Sequence, residues 1–149
     1  MPNVIEFLGR VASLSYEATL TKVWNDKRIQ AKIIELNTRK QLFDEGLKSD
    51  GSYLPDYSDV SVREYGKPSG HIRLFETGEF FDSFRIIVFG SIAEIVADTI
   101  KNNPFGEDTD LAKVYNNTII GLTDESKTVL KEIIYEVTKE IIWDYLRIS

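Results

Sequence analysis

Apolar residues recur at intervals of three and four in the first part of the chain. Between Val4 and Leu20 the residues at this spacing are Val4, Phe7, Leu8, Val11, Leu14 and Ala18. Because an α-helix completes a turn in about 3.6 residues, the spacing collects their side chains on one face. The pattern predicts a single amphipathic helix over residues 4–20.

A second stretch with the same spacing runs from Lys27 to Asp44. One side of this predicted helix carries Ile29, Ile33, Leu36, Lys40 and Phe43. Gly46 follows, and glycine commonly ends a helix because it adopts the left-handed conformation without a steric cost. A turn at residues 24–26 separates the two predicted helices, and one long, bent helix is the alternative.

Turn-forming residues dominate the next segment, residues 45–73. Glycine and proline occur there at Gly46, Gly51, Pro55, Gly66, Pro68 and Gly70. They predict an extended loop over residues 45–73, in which the alternation around Val60 and Val62 indicates a short edge strand at 58–65. A loop of this length in a small domain usually serves a function. A surface excursion without a dedicated role is the alternative.

Two apolar runs, residues 84–89 and 92–97, flank the pair Gly90-Ser91. Glycine tolerates the positive φ at the first central position of a type II′ turn, so the pattern predicts a β-hairpin. Upstream of it, Thr77 is the predicted N-cap of a short helix. Phe80 and Phe84 are four residues apart on that helix and are predicted to lie in the core.

The last apolar stripe follows Thr123 and comprises Val129, Leu130, Ile133, Ile134, Val137, Ile141 and Tyr145. A threonine cap, with acidic residues in the first turn, predicts a helix over residues 123–146. A polar loop over 98–110 and a helical turn over 111–115 are expected before it. The predicted fold class is α+β, with N-terminal helices, a small antiparallel β-sheet containing the hairpin, and a long C-terminal helix packed on the sheet.

Composition narrows the classes of protein that the chain can belong to. Its 149 residues fit a single domain over 1–149, and its apolar fraction of 42% is that of a globular protein. The net charge of −6 disfavours a surface that coats DNA, because phosphate neutralisation requires clustered lysine and arginine. Cysteine is absent, which excludes disulfides and thiolate sites. We expect neither a signal peptide nor a membrane-spanning segment, since the apolar runs are too short.

The residues that usually carry chemistry do not form a known motif. His71 is the only histidine, lies beside Gly70, and is predicted to be solvated. The run Gly66-Lys67-Pro68-Ser69-Gly70 has Ser61 where a phosphate-binding loop requires its first glycine. The acidic residues 107–110 lack the glycine and glutamate of a calcium-binding loop. We therefore predict no catalytic, cofactor-binding or metal-binding residue and no enzymatic activity.

Residues 36–89 contain an ordered series of short elements. A helix end at Gly46 is followed by Asp50-Gly51, by Pro55-Asp56-Tyr57-Ser58, by a basic gap, and by Leu74-Phe75-Glu76-Thr77-Gly78-Glu79-Phe80-Phe81-Asp82-Ser83. This order resembles the virion-morphogenesis or tail-completion (head–tail neck) proteins of tailed bacteriophages. In that family the last element reads Leu-x-x-Thr-Gly-x-Leu-x-x-Ser, and Phe80 stands at the position of its second leucine. The family-like core covers residues 27–98.

The resemblance implies a structural virion protein, a subunit of a homo-oligomeric ring at the head–tail junction that is assembled in the host cytoplasm and located in the virion. Its partners would be further copies of itself and phage portal, connector or tail proteins, with incidental contact with packaged DNA and none with a membrane. We expect the loop 45–73 to order against neighbours, since such segments can wrap a large surface. The predicted protein-interface residues are Tyr53, Leu54, Pro55, Tyr57, Arg63, Tyr65, Lys67 and Arg73. The alternative function is a small acidic regulatory or inhibitor protein that binds a host or phage protein.

Overall fold

A computed structural model describes residues 3–147 of the chain. Its α-helices are α1 (Val4–Ala12), α2 (Tyr16–Asn25), α3 (Lys27–Glu35), α4 (Asp59–Tyr65), α5 (Glu79–Asp82), α6 (Leu111–Tyr115) and α7 (Asp124–Leu146). A π-helix (Leu36–Glu45) continues α3, and a 3₁₀ turn (Asn117–Ile119) follows α6. The strands pair antiparallel in two small sheets, β1 (Arg85–Phe89) with β2 (Ile92–Val96), and β3 (Ile100–Lys101) with β4 (Thr109–Asp110). The predicted α+β class is confirmed.

The single helix predicted over residues 4–20 is wrong, because the chain breaks there into α1 and α2. Serine side chains cause the break. The hydroxyl of Ser13 donates to the carbonyl oxygen of Arg10 at 3.0 Å, which ends α1. The hydroxyl oxygen of Ser15 then accepts the N–H of Ala18 at 3.3 Å and caps α2. Apolar spacing alone does not detect such an interruption, since the stripe continues across it.

The turn predicted at residues 24–26, between the first and second apolar stretches, is confirmed at Asp26. Its carboxylate accepts the N–H of Arg28 at 2.8 Å and thereby caps α3. The predicted helix over 27–44 is present, but from Leu36 it winds as a π-helix, a form that is rare in proteins. Gly46 ends it with a φ of +67°, as the sequence predicted.

Two clusters of buried side chains form the core. One consists of Val23, Ile29, Ile33, Leu36, Leu130 and Val137, and the other of Leu42, Leu54, Phe80, Phe81, Phe84 and Ile119. Helix α7 packs on α2 and α3, and those two helices also contact the hairpin. Ile86 and Ile95 of the hairpin pack against the first cluster, so the last helix and the sheet share one core. Phe80 and Phe84 are buried as predicted, and Phe81 is buried beside them.

The predicted hairpin is confirmed, with Phe89 paired to Ile92 across a two-residue turn. Gly90 has a φ of +57°, which suits the first position of a type II′ turn. Helix α2 holds this turn through two side chains. The hydroxyl of Thr21 donates to the carbonyl oxygen of Gly90 at 2.7 Å, and the indole of Trp24 donates to that of Ser91 at 2.9 Å.

Residues 58–65 form helix α4, so the predicted edge strand is wrong. The hydroxyl oxygen of Ser58 accepts the N–H of Ser61 at 3.1 Å, and Gly66 closes the helix in the left-handed conformation. These two end signals outweigh the short alternation of valines between them. The prediction of Thr77 as the N-cap of the short helix α5 is wrong by one residue, because Gly78 occupies that position with a φ of +89°. The hydroxyl oxygen of Thr77 still accepts the N–H of Glu79, at 3.4 Å.

The predicted start of the last helix is confirmed, since the hydroxyl oxygen of Thr123 accepts the N–H of Ser126 at 3.2 Å. The helical turn over 111–115 is confirmed as α6. Asp110 caps it by accepting the N–H of Ala112 at 3.0 Å. The loop predicted over 98–110 also contains the short strands β3 and β4.

Candidate interaction surfaces

The segment 45–73 is a folded excursion that two short backbone bridges hold in place. Leu47 pairs with Tyr53, and Asp56 pairs with His71. At the second bridge, Tyr57 donates its N–H to the carbonyl oxygen of Gly70 at 2.9 Å. The segment therefore presents its side chains from a defined backbone.

The structure separates the predicted contact residues into three groups. Tyr53, Pro55, Arg63 and Tyr65 are exposed. Tyr57, Lys67 and Arg73 are half-buried, and Leu54 is buried. The exposed residues are accessible to a protein partner, and tyrosine and arginine supply large amphipathic areas at interfaces.

The prediction for Leu54 is wrong. Its side chain is 3% exposed and packs in the core cluster that contains Leu42. Its N–H donates to the carbonyl oxygen of Gly46 at 2.7 Å, so the backbone is also held inward. Leu54 anchors the excursion to the core and is not available to a partner.

Three of the predicted contact residues lie together. The ammonium group of Lys67 lies 5.9 Å from the centre of the Tyr57 ring. The backbone N–H of Arg73 donates to the Tyr57 hydroxyl at 3.4 Å. The aromatic, cation–π and hydrogen-bond contacts within residues 3–147 do not connect Tyr53 or Tyr65 to this group. The predicted residues thus form one cluster around Tyr57 and separate exposed sites.

His71 is half-buried, so the prediction of a solvated histidine is wrong. Its Nε2 atom lies 2.8 Å from the carbonyl oxygen of Phe43, and it must carry a proton to donate to that acceptor. The ring also covers Gly46, where an added Cβ would lie 2.5 Å from the His71 ring. His71 therefore fastens the excursion to the end of the π-helix.

A cleft of about 520 Å³ lies between the excursion and residues 98–115. Its apolar lining is formed by Tyr57, Ile72, Leu74, Phe75, Phe80, Ile100, Leu111 and Tyr115. Leu74 has a φ of +56°, a left-handed conformation that is uncommon for a leucine. Leu74, Thr77, Gly78 and Ser83 of the family-like element all line this cleft.

Three charged side chains, those of Lys67, Glu76 and Lys101, also line the cleft. Glu76 pairs with Lys67 at 3.5 Å and with Lys101. The hydrogen bond from Lys101 lowers the pKa of Glu76 below its usual value. Burial raises the pKa of Tyr115, and the neighbouring Tyr57 adds to that effect. The cleft thus combines an apolar wall with one carboxylate that lies between two ammonium groups.

Sequence reasoning missed a group of two arginines on an aromatic platform. The guanidinium groups of Arg39 and Arg73 lie 4.6 and 4.9 Å from the centre of the Phe43 ring. Arg39 also lies 5.5 Å from Phe75. The spacing of four residues from Arg39 to Phe43 was the available signal. Within residues 3–147 neither guanidinium forms an ion pair with a carboxylate.

Helix α1 presents its apolar stripe to solvent. Of the predicted stripe, Val4, Leu8 and Val11 are 41–72% exposed, whereas Phe7 is half-buried. The adjacent Ile5 is 82% exposed. The helix is attached to α7, where Arg10 donates to the carbonyl oxygen of Tyr145 at 2.9 Å. A face of contiguous apolar residues that is open to solvent usually marks an interaction site. The sequence predicted the stripe but not that it faces outward.

Within residues 3–147, no three histidine, aspartate or glutamate side chains are grouped as a metal ion would require. No helix in this range is both long and apolar enough to cross a bilayer. Comparison of the chain with protein-family models, curated proteins and solved structures gave no match.

Proposed function

We propose that this chain is a structural subunit of a tailed-bacteriophage virion, a ring-forming neck or tail-completion protein at the head–tail junction. The ordered elements Asp50-Gly51, Pro55-Asp56-Tyr57-Ser58 and Leu74–Ser83 support the proposal by their likeness to that family. All residues of the last element except Phe81 and Asp82 line the cleft, and Tyr57 of the second element lines it as well. In this role the chain acts by binding neighbours and catalyses no reaction.

The outward apolar stripe of α1 is the observation that carries the proposal. A helix of nine residues with no buried residue gains little from its own chain. Burying one leucine or isoleucine side chain against a partner stabilises a complex by about 1.5–3 kcal/mol. The exposed Val4, Ile5 and Leu8 therefore provide a driving force for assembly.

A ring requires two different surfaces on each subunit, because a heterologous contact repeats until it closes. Tyr53 and Tyr65 on the excursion are exposed and lie on a different part of the chain from α1. The stripe of α1 and the tyrosines of the excursion thus supply two distinct contact sites. Portal, connector or tail proteins are the partners that this role implies.

The test compares Leu8→Lys with Glu6→Lys in analytical ultracentrifugation. Glu6 is exposed on the polar side of the same helix, so it is a matched control. We expect the wild type and Glu6→Lys to form one defined oligomer and Leu8→Lys to remain a monomer. A wild-type chain that stays monomeric at all concentrations would contradict the ring. If that monomer binds a single protein partner in a one-to-one complex, the regulatory or inhibitor function is favoured instead.

A further inference from the structure

The β1–β2 hairpin has two open edges. Within residues 3–147 no backbone hydrogen bond joins Arg85–Phe89 or Ile92–Val96 to another element. In a two-residue hairpin, the residues next to the turn form a hydrogen-bonded pair and the following pair points its backbone groups outward. The outward groups are therefore those of Ile86 and Val88 on β1 and of Ala93 and Ile95 on β2. Such edges accept further strands.

The hairpin also has an apolar face that the helices leave uncovered. Ile86 and Ile95 face the core, so their neighbours in each strand face the other way. On that outer face, Phe89 and Ile92 form a cross-strand pair that is 61% and 66% exposed. Few charges protect these edges, although proteins usually protect exposed strands with charged residues, proline or bulges.

The outer face carries one unpaired charge near each edge. Arg85 lies on β1 and Glu94 on β2, and both are exposed. Their cross-strand partners within the chain are Val96 and Ile87, respectively, which are uncharged. Neither Arg85 nor Glu94 forms an ion pair or a side-chain hydrogen bond within residues 3–147. The two edges are thus complementary in charge.

We propose that β1 of one copy adds antiparallel to the open edge of β2 on the next copy, with Arg85 opposite Glu94 of its neighbour. This register places Ile86 opposite Ala93 of the neighbour. Both residues have outward backbone groups, so they form a hydrogen-bonded pair. Arg85 and Glu94 then occupy the adjacent pair, where side chains approach most closely.

The arrangement is heterologous, because each copy uses β1 on one side and β2 on the other. Symmetric pairing of two β2 strands about Glu94 would place like charges opposite each other, which is destabilising. Symmetric pairing of two β1 strands would leave Glu94 without a partner. The inference rests on the proposed function, since it specifies how copies of the subunit meet.

The hairpin is fixed in position before it pairs with another copy. Hydrogen bonds from Thr21 and Trp24 to the carbonyl oxygens of the turn fix the hairpin on α2. A strand that is fixed before association loses little conformational freedom when it pairs. The outer face around Phe89 would then be continuous with the same face of the neighbouring copy.

Charge reversal tests the register. We expect Arg85→Glu alone and Glu94→Arg alone each to weaken self-association about tenfold, because each places like charges opposite one another. Mixing the two variants should restore association, since Glu at position 85 of one then faces Arg at position 94 of the other. An ion pair formed within one chain could not produce this recovery.

Glu132→Arg on the exposed face of α7 is the matched control, and it should leave association unchanged. Thermal unfolding of all variants should match the wild type at concentrations where every protein is monomeric, because the substituted side chains are exposed. If both charge-reversal variants associate as the wild type does, and mixing them changes nothing, strand addition is overturned. The proposed assembly role would still stand in that case. A wild type that is monomeric at every concentration would overturn both.

Discussion

The side-chain amide of Gln41 holds the backbone at Thr123. Its oxygen accepts the N–H of Thr123 at 2.9 Å, while its nitrogen donates to the carbonyl oxygen of Gly121 at 2.9 Å. Asn37 binds the same segment, with its oxygen 2.7 Å from the N–H of Gly121 and its nitrogen 3.1 Å from the carbonyl oxygen of Ile119. The two buried amides thus join the π-helix to the start of the last helix.

Replacing Gln41 with leucine should lower the free energy of unfolding by about 3 kcal/mol. The change leaves the Thr123 N–H and the Gly121 carbonyl without partners in a buried place, and each unsatisfied group costs about 1–3 kcal/mol. Urea unfolding followed by circular dichroism measures the effect. Asn25→Leu is the control, because the exposed Asn25 amide bonds only to Thr21 within its own helix. Equal stability of the two variants would contradict the role of Gln41.

Gly46→Ala should destabilise the fold more than Gly51→Ala. Both glycines have positive φ, +67° and +81°, so both substitutions carry the same backbone penalty of about 1 kcal/mol. At Gly46 the new Cβ would also lie 2.5 Å from the His71 ring, whereas nothing lies within 4 Å at Gly51. Thermal unfolding of both variants gives the difference. Adding His71→Ala to Gly46→Ala should recover part of the loss, and no recovery would exclude the clash as its cause.

Phe84→Ala should cost about 3–5 kcal/mol of stability, because it opens a cavity in a packed core. Phe84 is 6% exposed and lies 5.1 Å from the Phe80 ring between centroids. Phe89→Ala is the matched control on the hairpin, since the Phe89 ring is 61% exposed. This substitution should change the free energy of unfolding by less than about 1 kcal/mol. The denaturant midpoints of the two variants measure this difference in stability. A near-zero effect at Phe84 would place that ring outside the core.

Glu76 should make part of the stability depend on acidic pH. Its hydrogen bond with Lys101 lowers its pKa below the usual 4.5, so the unfolded chain binds this proton more tightly than the folded one. The stabilisation is therefore present above about pH 4.5 and is lost as the pH falls through the lower folded pKa. The side chain is 53% exposed, which limits the effect to about 1 kcal/mol or less.

The free energy of unfolding of Glu76→Gln, measured against pH beside the wild type, checks this effect. The two proteins should differ near neutral pH and converge in acid. Glu132→Gln is the control, because Glu132 is exposed and forms no ion pair within residues 3–147. A difference that persists unchanged to about pH 2 would show that Glu76 acts through something other than its charge.

The sequence predicts the ends of helices and turns correctly where a single residue determines the local backbone conformation. Thr123 before acidic residues, Gly46 after a helix and Gly90 in a turn each gave a correct boundary. The same reasoning failed at residues 58–65, where two valines in alternation suggested a strand although Ser58 and Gly66 are the end signals of a helix. Cap residues were the stronger evidence there.

The surfaces were less predictable, because the direction of a side chain depends on residues far away in the chain. Leu54 lies between exposed neighbours in a loop, yet it fills a space beside Leu42. The stripe of α1 has the spacing of a core helix, yet Val4, Leu8 and Val11 on it remain exposed. Arg73 reaches Phe43 across twenty-nine intervening positions, a contact that no short motif contains.

The segment Leu36–Glu45 is wound as a π-helix, so its number of residues determines which side chains face the rest of the protein. Deleting one residue would allow ordinary α-helical winding, and the side of the helix that carries Asn37 and Gln41 would rotate away from Gly121. Related chains should therefore tolerate insertions and deletions in the 98–110 loop far more readily than between Glu35 and Gly46.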